Sequence, residues 1–229
     1  MDSILKTLIE IDKEANNTKL RSLKMNKLFK QFKNVVVYDY EFKITPGNNP
    51  EPVCVVYKEL HSQQITKQWL VGQDNRKYYS CRPFPEDETL FIAHYSNAEV
   101  SCDLAMGYKK PKYIWDTFVE EKKLLNGKLA KGFGLLDTCQ RYGIEEIMSA
   151  YKKTYWRDHI INNYPNYAPE DQSGILDYCM EDVLLTEKLF LKQVELLEKL
   201  DKNFNRVIQQ AAFHGRSLGL TAQIERNGI

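Results

Sequence analysis

The chain has 229 residues, a hydrophobic fraction of 43% and a formal net charge of +1 at pH 7. These values fit one α/β unit with its own core, and the near-zero charge excludes a protein that holds nucleic acid by overall charge alone. The cysteines form no Cys-x-x-Cys pair, so neither a zinc site nor a disulfide framework is predicted. Because the sequence shows no signal peptide and no apolar run near the ~20 residues of a membrane span, we expect a soluble, cytoplasmic protein without a membrane partner.

The first half of the chain predicts a helical extension followed by strands. Apolar residues between Ile4 and Ile11 recur at helical spacing, so residues 1–33 are assigned to an N-terminal helical extension. Alternating patterns and turn residues predict strands at 35–42, 53–59 and 64–70, arranged as an antiparallel meander. A strand at 90–94, a helix at 97–106 and a strand at 113–115 follow, which is the crossover pattern of a parallel pair.

The second half of the chain predicts mainly helices. Apolar spacing indicates helices at 118–125, 135–142 and 145–162. A long helix begins near Pro169, with proline and acidic residues in its first turn, and runs to about residue 200.

Asp39 and Glu41 close the first predicted strand, directly after an apolar run. Residues i and i+2 share one face of a strand, so the two carboxylates point to the same side. Two acids held together beside a buried strand repel each other and resist ionising unless a cation lies between them, and a divalent metal is the natural cation. Solvated acids at a strand end are the alternative interpretation of an isolated Asp-x-Glu pair.

Tyr178 and Asp182 lie four residues apart on the long predicted helix and therefore share one of its faces. A phenol beside a metal-binding carboxylate can orient a water molecule for phosphodiester hydrolysis. Between this pair and the strand acids, the sequence places Glu99 in the first turn of a helix, behind the strand that ends at His94. Asp103, one helical turn later, is the alternative acid at this middle position.

The order of these motifs resembles that of the DEDD 3′–5′ exonucleases of the ribonuclease H-like fold. The motifs are the strand Asp-x-Glu, the acid at the head of a middle helix and the Tyr-x-x-x-Asp pair. With tyrosine at position 178, the last motif resembles the subgroup that contains family A DNA polymerase proofreading domains and ribonuclease D. The other subgroup has histidine at the position of Asp177. The stretches 98–107 and 213–229 resemble phage or bacterial family A polymerases, the second at the entry to the polymerising domain.

The resemblance implies an α/β fold with a mixed five-stranded sheet flanked by helices. It implies two divalent ions, Mg²⁺ or Mn²⁺, held by Asp39, Glu41, Glu99 and Asp182, and a water oriented by Tyr178. The family usually has aspartate where Glu99 stands. The aromatic residues near the motifs are expected either to stack on terminal bases or to pack in the core: Tyr40, Phe42 and Phe133. His94 and Asp116 are interpreted as structural residues. The basic residues that could contact phosphate lie at 109–112 and 122–123 and include Lys152, Lys153 and Arg157.

The implied function is removal of nucleotides from single-stranded DNA 3′ ends during replication, as the proofreading domain of a family A DNA polymerase. Residues 34–200 would form the exonuclease domain, and residues 201–229 would lead toward a polymerase domain after residue 229. Two alternatives stay open. Glu99 makes a catalytically weak or inactive DNA-binding module plausible, and a ribonuclease D-like RNA 3′ exonuclease would share the acids and the tyrosine.

Overall fold

The computed structural model describes residues 29–47, 49–72, 82–144 and 149–228. The predicted N-terminal extension lies outside these residues except at its end, where Phe29 and Phe32 are buried in the main core. None of the helices within the described ranges is long and apolar enough to cross a membrane.

One mixed sheet of five strands forms the centre of the fold, in the order β3-β2-β1-β4-β5. The central strand, β1, pairs antiparallel with β2 and parallel with β4, while β2 and β3 are antiparallel and β4 and β5 parallel. This arrangement confirms the predicted fold class and the central position of the first strand. The strand bounds are β1 (Asn34–Lys43), β2 (Glu51–Glu59), β3 (Ile65–Trp69), β4 (Thr89–Ala93) and β5 (Tyr113–Asp116).

Six helices flank the sheet in the part of the chain that the structure describes. They are α1 (Asn97–Ala105), α2 (Thr117–Leu125), α3 (Leu135–Arg141), α4 (Ala150–Asn163), α5 (Pro169–Leu200) and α6 (Phe204–Arg226). The first five match the predicted helices, although residues 145–148 of the predicted fourth helix lie outside the description. Local signals fix several of the ends: Pro169 opens α5, and the Asp116 carboxylate caps α2 by accepting from the amides of Phe118 and Val119.

The side chains of β1 alternate between two buried layers. Val35 and Val37 pack in the larger cluster with residues of α5, whereas Tyr38 and Tyr40 pack with Cys102 and other residues on the opposite side of the sheet. Asp39 and Glu41 therefore continue the face that α5 covers. Tyr40, which lies between them in sequence, belongs to the other face.

The sequence did not predict α6, which occupies most of the segment assigned to a polymerase entry. Its apolar residues Val207, Ile208 and Ala211 belong to the main core, and Ala222 packs with Ile114 of β5. Gly215 lets the helix approach the strand closely, because a Cβ atom at this position would lie 2.3 Å from the Ile114 carbonyl oxygen. The described residues of the C-terminal segment are thus packed into the same unit as the sheet.

Candidate metal centre

Four acidic side chains from three elements lie together at the end of β1. Burial and the neighbouring Asp182 raise the pKa of Asp39 to about 7. Burial and the neighbouring Asp39 raise the pKa of Glu41 and of Glu99 well above the ordinary glutamate value. These interactions connect the two strand acids with Glu99 in the first turn of α1 and with Asp182 of α5.

The cluster contains buried carboxylate oxygens that no described group satisfies. Glu99 is 3% exposed and Asp182 5% exposed, and Oε2 of the first and Oδ1 of the second have no hydrogen-bond partner within the described residues. A buried polar atom without a partner is costly, and a bound cation is a partner that such a carboxylate oxygen can take. Because Mg²⁺ and Mn²⁺ prefer oxygen ligands, the donor set fits a divalent ion.

Cys179 belongs to this centre although the sequence analysis gave it no role. Its thiol donates to the backbone carbonyl of Asp39, with an Sγ to O distance of 3.2 Å, and to Asp39 Oδ2 at 3.5 Å. Ligand atoms of Asp39, Glu41 and Cys179 all lie within 4.8 Å of one another. Burial raises the pKa of the thiol, so Cys179 remains a neutral donor that orients Asp39.

Lys153 of α4 also reaches the acids, a position that the sequence analysis did not foresee. Its Nζ atom donates to Asp182 Oδ2 at 2.6 Å, and the two side chains are 17% and 7% exposed. Lys152, beside it in sequence, pairs instead with Glu181 at 2.5 Å in a more exposed position. The sequence had indicated Lys153 and Arg157 only as candidates for phosphate contact. They lie four residues apart on one helix face, and both lower the pKa of Asp39.

Tyr178 lies beside the acids and is only 2% exposed. Burial, together with the charges of Glu41 and Asp182, raises the pKa of its hydroxyl far above the ordinary tyrosine value. The side chain is therefore a neutral phenol, which can hold a water molecule by a hydrogen bond but does not supply a phenolate base.

The two candidates for the middle acid have different surroundings. Glu99 interacts with Asp39, whereas Asp103 is fully buried and bound by other side chains. Its Oδ2 accepts from Arg82 Nη1 at 2.6 Å and its Oδ1 from the Tyr40 hydroxyl at 3.0 Å. Asp103 is thus engaged by a buried arginine, which leaves Glu99 as the acid available to a metal.

The aromatic residues predicted to stack on bases have three different positions. Tyr40 is 3% exposed and hydrogen-bonded on the face opposite the acids, so a base could reach it only by opening the core, and its predicted stacking role is dropped. Phe42 lines a groove of about 290 Å³ with Tyr95. Phe133 is half-buried, with its ring 6.0 Å from that of Phe118. Phe42 and Phe133 therefore stay candidates.

His94 and Asp116 have the structural roles that the sequence suggested. His94 Nε2 lies 3.0 Å from the Phe133 carbonyl and Nδ1 lies 2.9 Å from Thr117 Oγ1. Asp116 accepts from the amide and the hydroxyl of Ser96, each at 2.7 Å, in addition to capping α2. These contacts join the end of β4 to α2 and hold the loop that leads to Glu99.

No family model and no curated protein matches the chain. Among solved structures, Brucella melitensis NrnC with bound Mg²⁺ superposes with a TM-score of 0.56 and 14% identity, over 86% of this chain and 88% of that one. The catalytic core of Trypanosoma brucei RRP6 gives a TM-score of 0.53 and 15% identity, over 89% of this chain and 50% of that one.

Escherichia coli RNase D, described as an exoribonuclease involved in structured RNA processing, gives a TM-score of 0.51 and 12% identity, over 89% of this chain and 48% of that one. At such identities the likeness establishes the fold alone, which is the ribonuclease H-like arrangement of a mixed five-stranded sheet flanked by helices. These neighbours give no support to the predicted role in polymerase proofreading.

Proposed function

We propose that the chain is a metal-dependent 3′–5′ exonuclease that acts on single-stranded nucleic acid. Asp39, Glu41, Glu99 and Asp182 would hold two divalent ions, Mg²⁺ or Mn²⁺. The observation that carries the proposal is the convergence of these acids from three elements, with two buried carboxylate oxygens left without a partner among the described residues. When bound, the ions would supply an activated water and stabilise the leaving 3′ oxygen.

The chain's own residues would position the reactants around these ions. Tyr178, as a neutral phenol on the same face of α5 as Asp182, would orient the attacking water. Cys179 would keep Asp39 in place through its two thiol contacts. Phe42 and Phe133 are the candidates for stacking on terminal bases, a contact worth ~1–3 kcal/mol per base in single-strand binding proteins.

RNA is the substrate that the comparisons favour. One neighbour is described as an exoribonuclease, and another solved structure shows NrnC bound to pGG. Removal of nucleotides from DNA 3′ ends is the second candidate. It is supported by the sequence of residues 98–107 and 213–229, which resembles family A polymerases.

Matched single-stranded RNA and DNA oligonucleotides, labelled at the 5′ end, would test the proposal. We expect a ladder that shortens from the 3′ end with mononucleotide products, disappears in EDTA and returns with Mg²⁺ or Mn²⁺. The Asp39→Ala, Glu41→Ala double variant should fold but lack activity. Faster hydrolysis of RNA would favour the RNA exonuclease hypothesis. Faster hydrolysis of DNA would favour the hypothesis of a polymerase-associated DNA exonuclease.

Three outcomes would contradict the proposal. Full activity in chelator would exclude the metal mechanism, and shortening from the 5′ end would exclude the exonuclease polarity. Tight binding of either oligonucleotide without hydrolysis, in Mg²⁺ and in Mn²⁺, would identify a catalytically inactive binding module instead.

A further inference from the structure

Lys153 occupies an unusual position for a surface-helix lysine, because its ammonium lies among acids that fit a metal. Its Nζ atom is 2.6 Å from Asp182 Oδ2 in a pair that is largely shielded from water. The same charge lowers the pKa of both Asp39 and Glu41, which places the ammonium within electrostatic reach of the strand acids as well.

Four carboxylates at one point repel one another, and the repulsion is strongest where water is excluded. A cation in the cluster offsets this repulsion, and in the metal-free chain Lys153 is a cation in direct contact with it. Asp182 has two oxygens in different states: Oδ2 is taken by Lys153 and Oδ1 has no partner among the described residues. An incoming ion that used both oxygens of Asp182 would have to displace the lysine.

We propose that Lys153 is an internal substitute for the metal, which holds the acid cluster together in the metal-free chain and competes with the divalent ion for Asp182. This inference rests on the metal site of the proposed function. The measured affinity for the metal then reflects the difference between two free energies, that of the ion binding to the acids and that of the Lys153 ammonium binding to them. The lysine lowers the affinity for the ion and stabilises the chain when no ion is present.

The adjacent Lys152 offers a matched control. Both lysines lie on α4, and each pairs with one of two successive acids on α5, but the pair of Lys152 and Glu181 lies apart from the cluster, with side chains 44% and 36% exposed. Lys152→Met removes the same charge from the same helix without touching Asp182. Lys153→Arg keeps the charge at the centre.

The experiment measures Mn²⁺ binding by isothermal titration calorimetry and thermal unfolding in EDTA for the full chain and three variants: Lys153→Met, Lys153→Arg and Lys152→Met. We expect Lys153→Met to bind Mn²⁺ about tenfold or more tightly, since it removes a competing charge in ion-pair contact with a metal ligand. The same variant should unfold at a lower temperature in EDTA and gain more from added Mn²⁺ than the native chain. Lys152→Met should bind Mn²⁺ like the native chain, and Lys153→Arg should unfold like it in EDTA.

Unchanged or weaker Mn²⁺ binding by Lys153→Met would overturn the inference, whatever its stability, and so would an equal gain in affinity from Lys152→Met. If Lys153→Met does not fold in EDTA, recovery of its fold by Mn²⁺ supports the inference and failure to recover it counts against it. These results do not depend on activity. Absence of Mn²⁺ binding by every variant would instead overturn the metal site, and with it the proposed function.

Discussion

The two buried acids of α1, Glu99 and Asp103, should respond in opposite ways when each is replaced by its amide. Glu99→Gln removes a proposed metal ligand, so the rate of oligonucleotide hydrolysis should fall by about 100-fold or more. The same change removes a buried carboxylate with an unpartnered oxygen beside Asp39. The metal-free variant should therefore unfold at the same temperature as the native chain or at a higher one.

Asp103→Asn should mainly reduce stability. Arg82 and Asp103 have side chains that are 4% and 0% exposed, so the substitution leaves a buried guanidinium without its counter-ion. Removing one partner of a buried pair costs about 3–5 kcal/mol. In a chain of this size each kcal/mol shifts the melting temperature by about 2–4 °C, so we expect a decrease of roughly 6–20 °C.

Thermal unfolding in EDTA and hydrolysis of a 5′-labelled oligonucleotide, measured well below both melting temperatures, separate the two effects. Asp103→Asn should retain most of its activity at the lower temperature, since Asp103 lies on the far side of the sheet from Asp39. A normal melting temperature combined with a 100-fold loss of rate in Asp103→Asn would show that the metal ligand is Asp103. Native activity in Glu99→Gln would refute the role of Glu99.

Three other predictions test different parts of the structure. Tyr178→Phe should lower the rate of hydrolysis by ~10–10³-fold without abolishing it, because an orienting hydroxyl contributes less than a metal ligand, and a loss as complete as that of Asp182→Ala would contradict this role. The raised pKa of Asp39 means that the folded state binds the proton of this carboxyl more tightly than the unfolded state does. The melting temperature in EDTA should therefore fall as the pH rises from about 5 to 8, and added Mg²⁺ should reduce this fall. A melting temperature that stays constant over this pH range in calorimetry would exclude this contribution of Asp39 to stability. Gly215→Ala should destabilise the protein because its Cβ would meet the Ile114 carbonyl oxygen, whereas Gly219→Ala, which meets the flexible Lys110 side chain at 3.1 Å, should cost little in urea unfolding.

The sheet and most helices could be predicted because their signals are local. Period-two alternation and turn residues identified the strands, and apolar spacing identified five of the six described helices. The missing helix, α6, has the same spacing at Val207, Ile208 and Ala211. Glycines at two of its buried positions, which are poor helix formers, diluted the pattern.

In the candidate metal centre, too, the sequence predicted which residues share a face of one strand or helix, but not which elements pack against each other. Spacing alone placed Asp39 with Glu41 and Tyr178 with Asp182. The alternation that pairs the two strand acids also assigns Tyr40 to the opposite face, so its burial could have been predicted. The contact between Lys153 and Asp182 joins residues 29 positions apart and depends on how α4 docks on α5, which no local pattern specifies.

The packing of α6 limits how this folded unit can be shortened. A fragment that ends at residue 200 would expose apolar side chains that now share the main core with Phe204 and Val207, and would present that surface to aggregation. It would also lose two links to the helix that carries Glu99: Asn97 Nδ2 donates to Glu225 Oε2 at 3.1 Å, and Arg226 donates to the Leu104 carbonyl. A minimal fragment for biochemical work should therefore extend at least through Arg226.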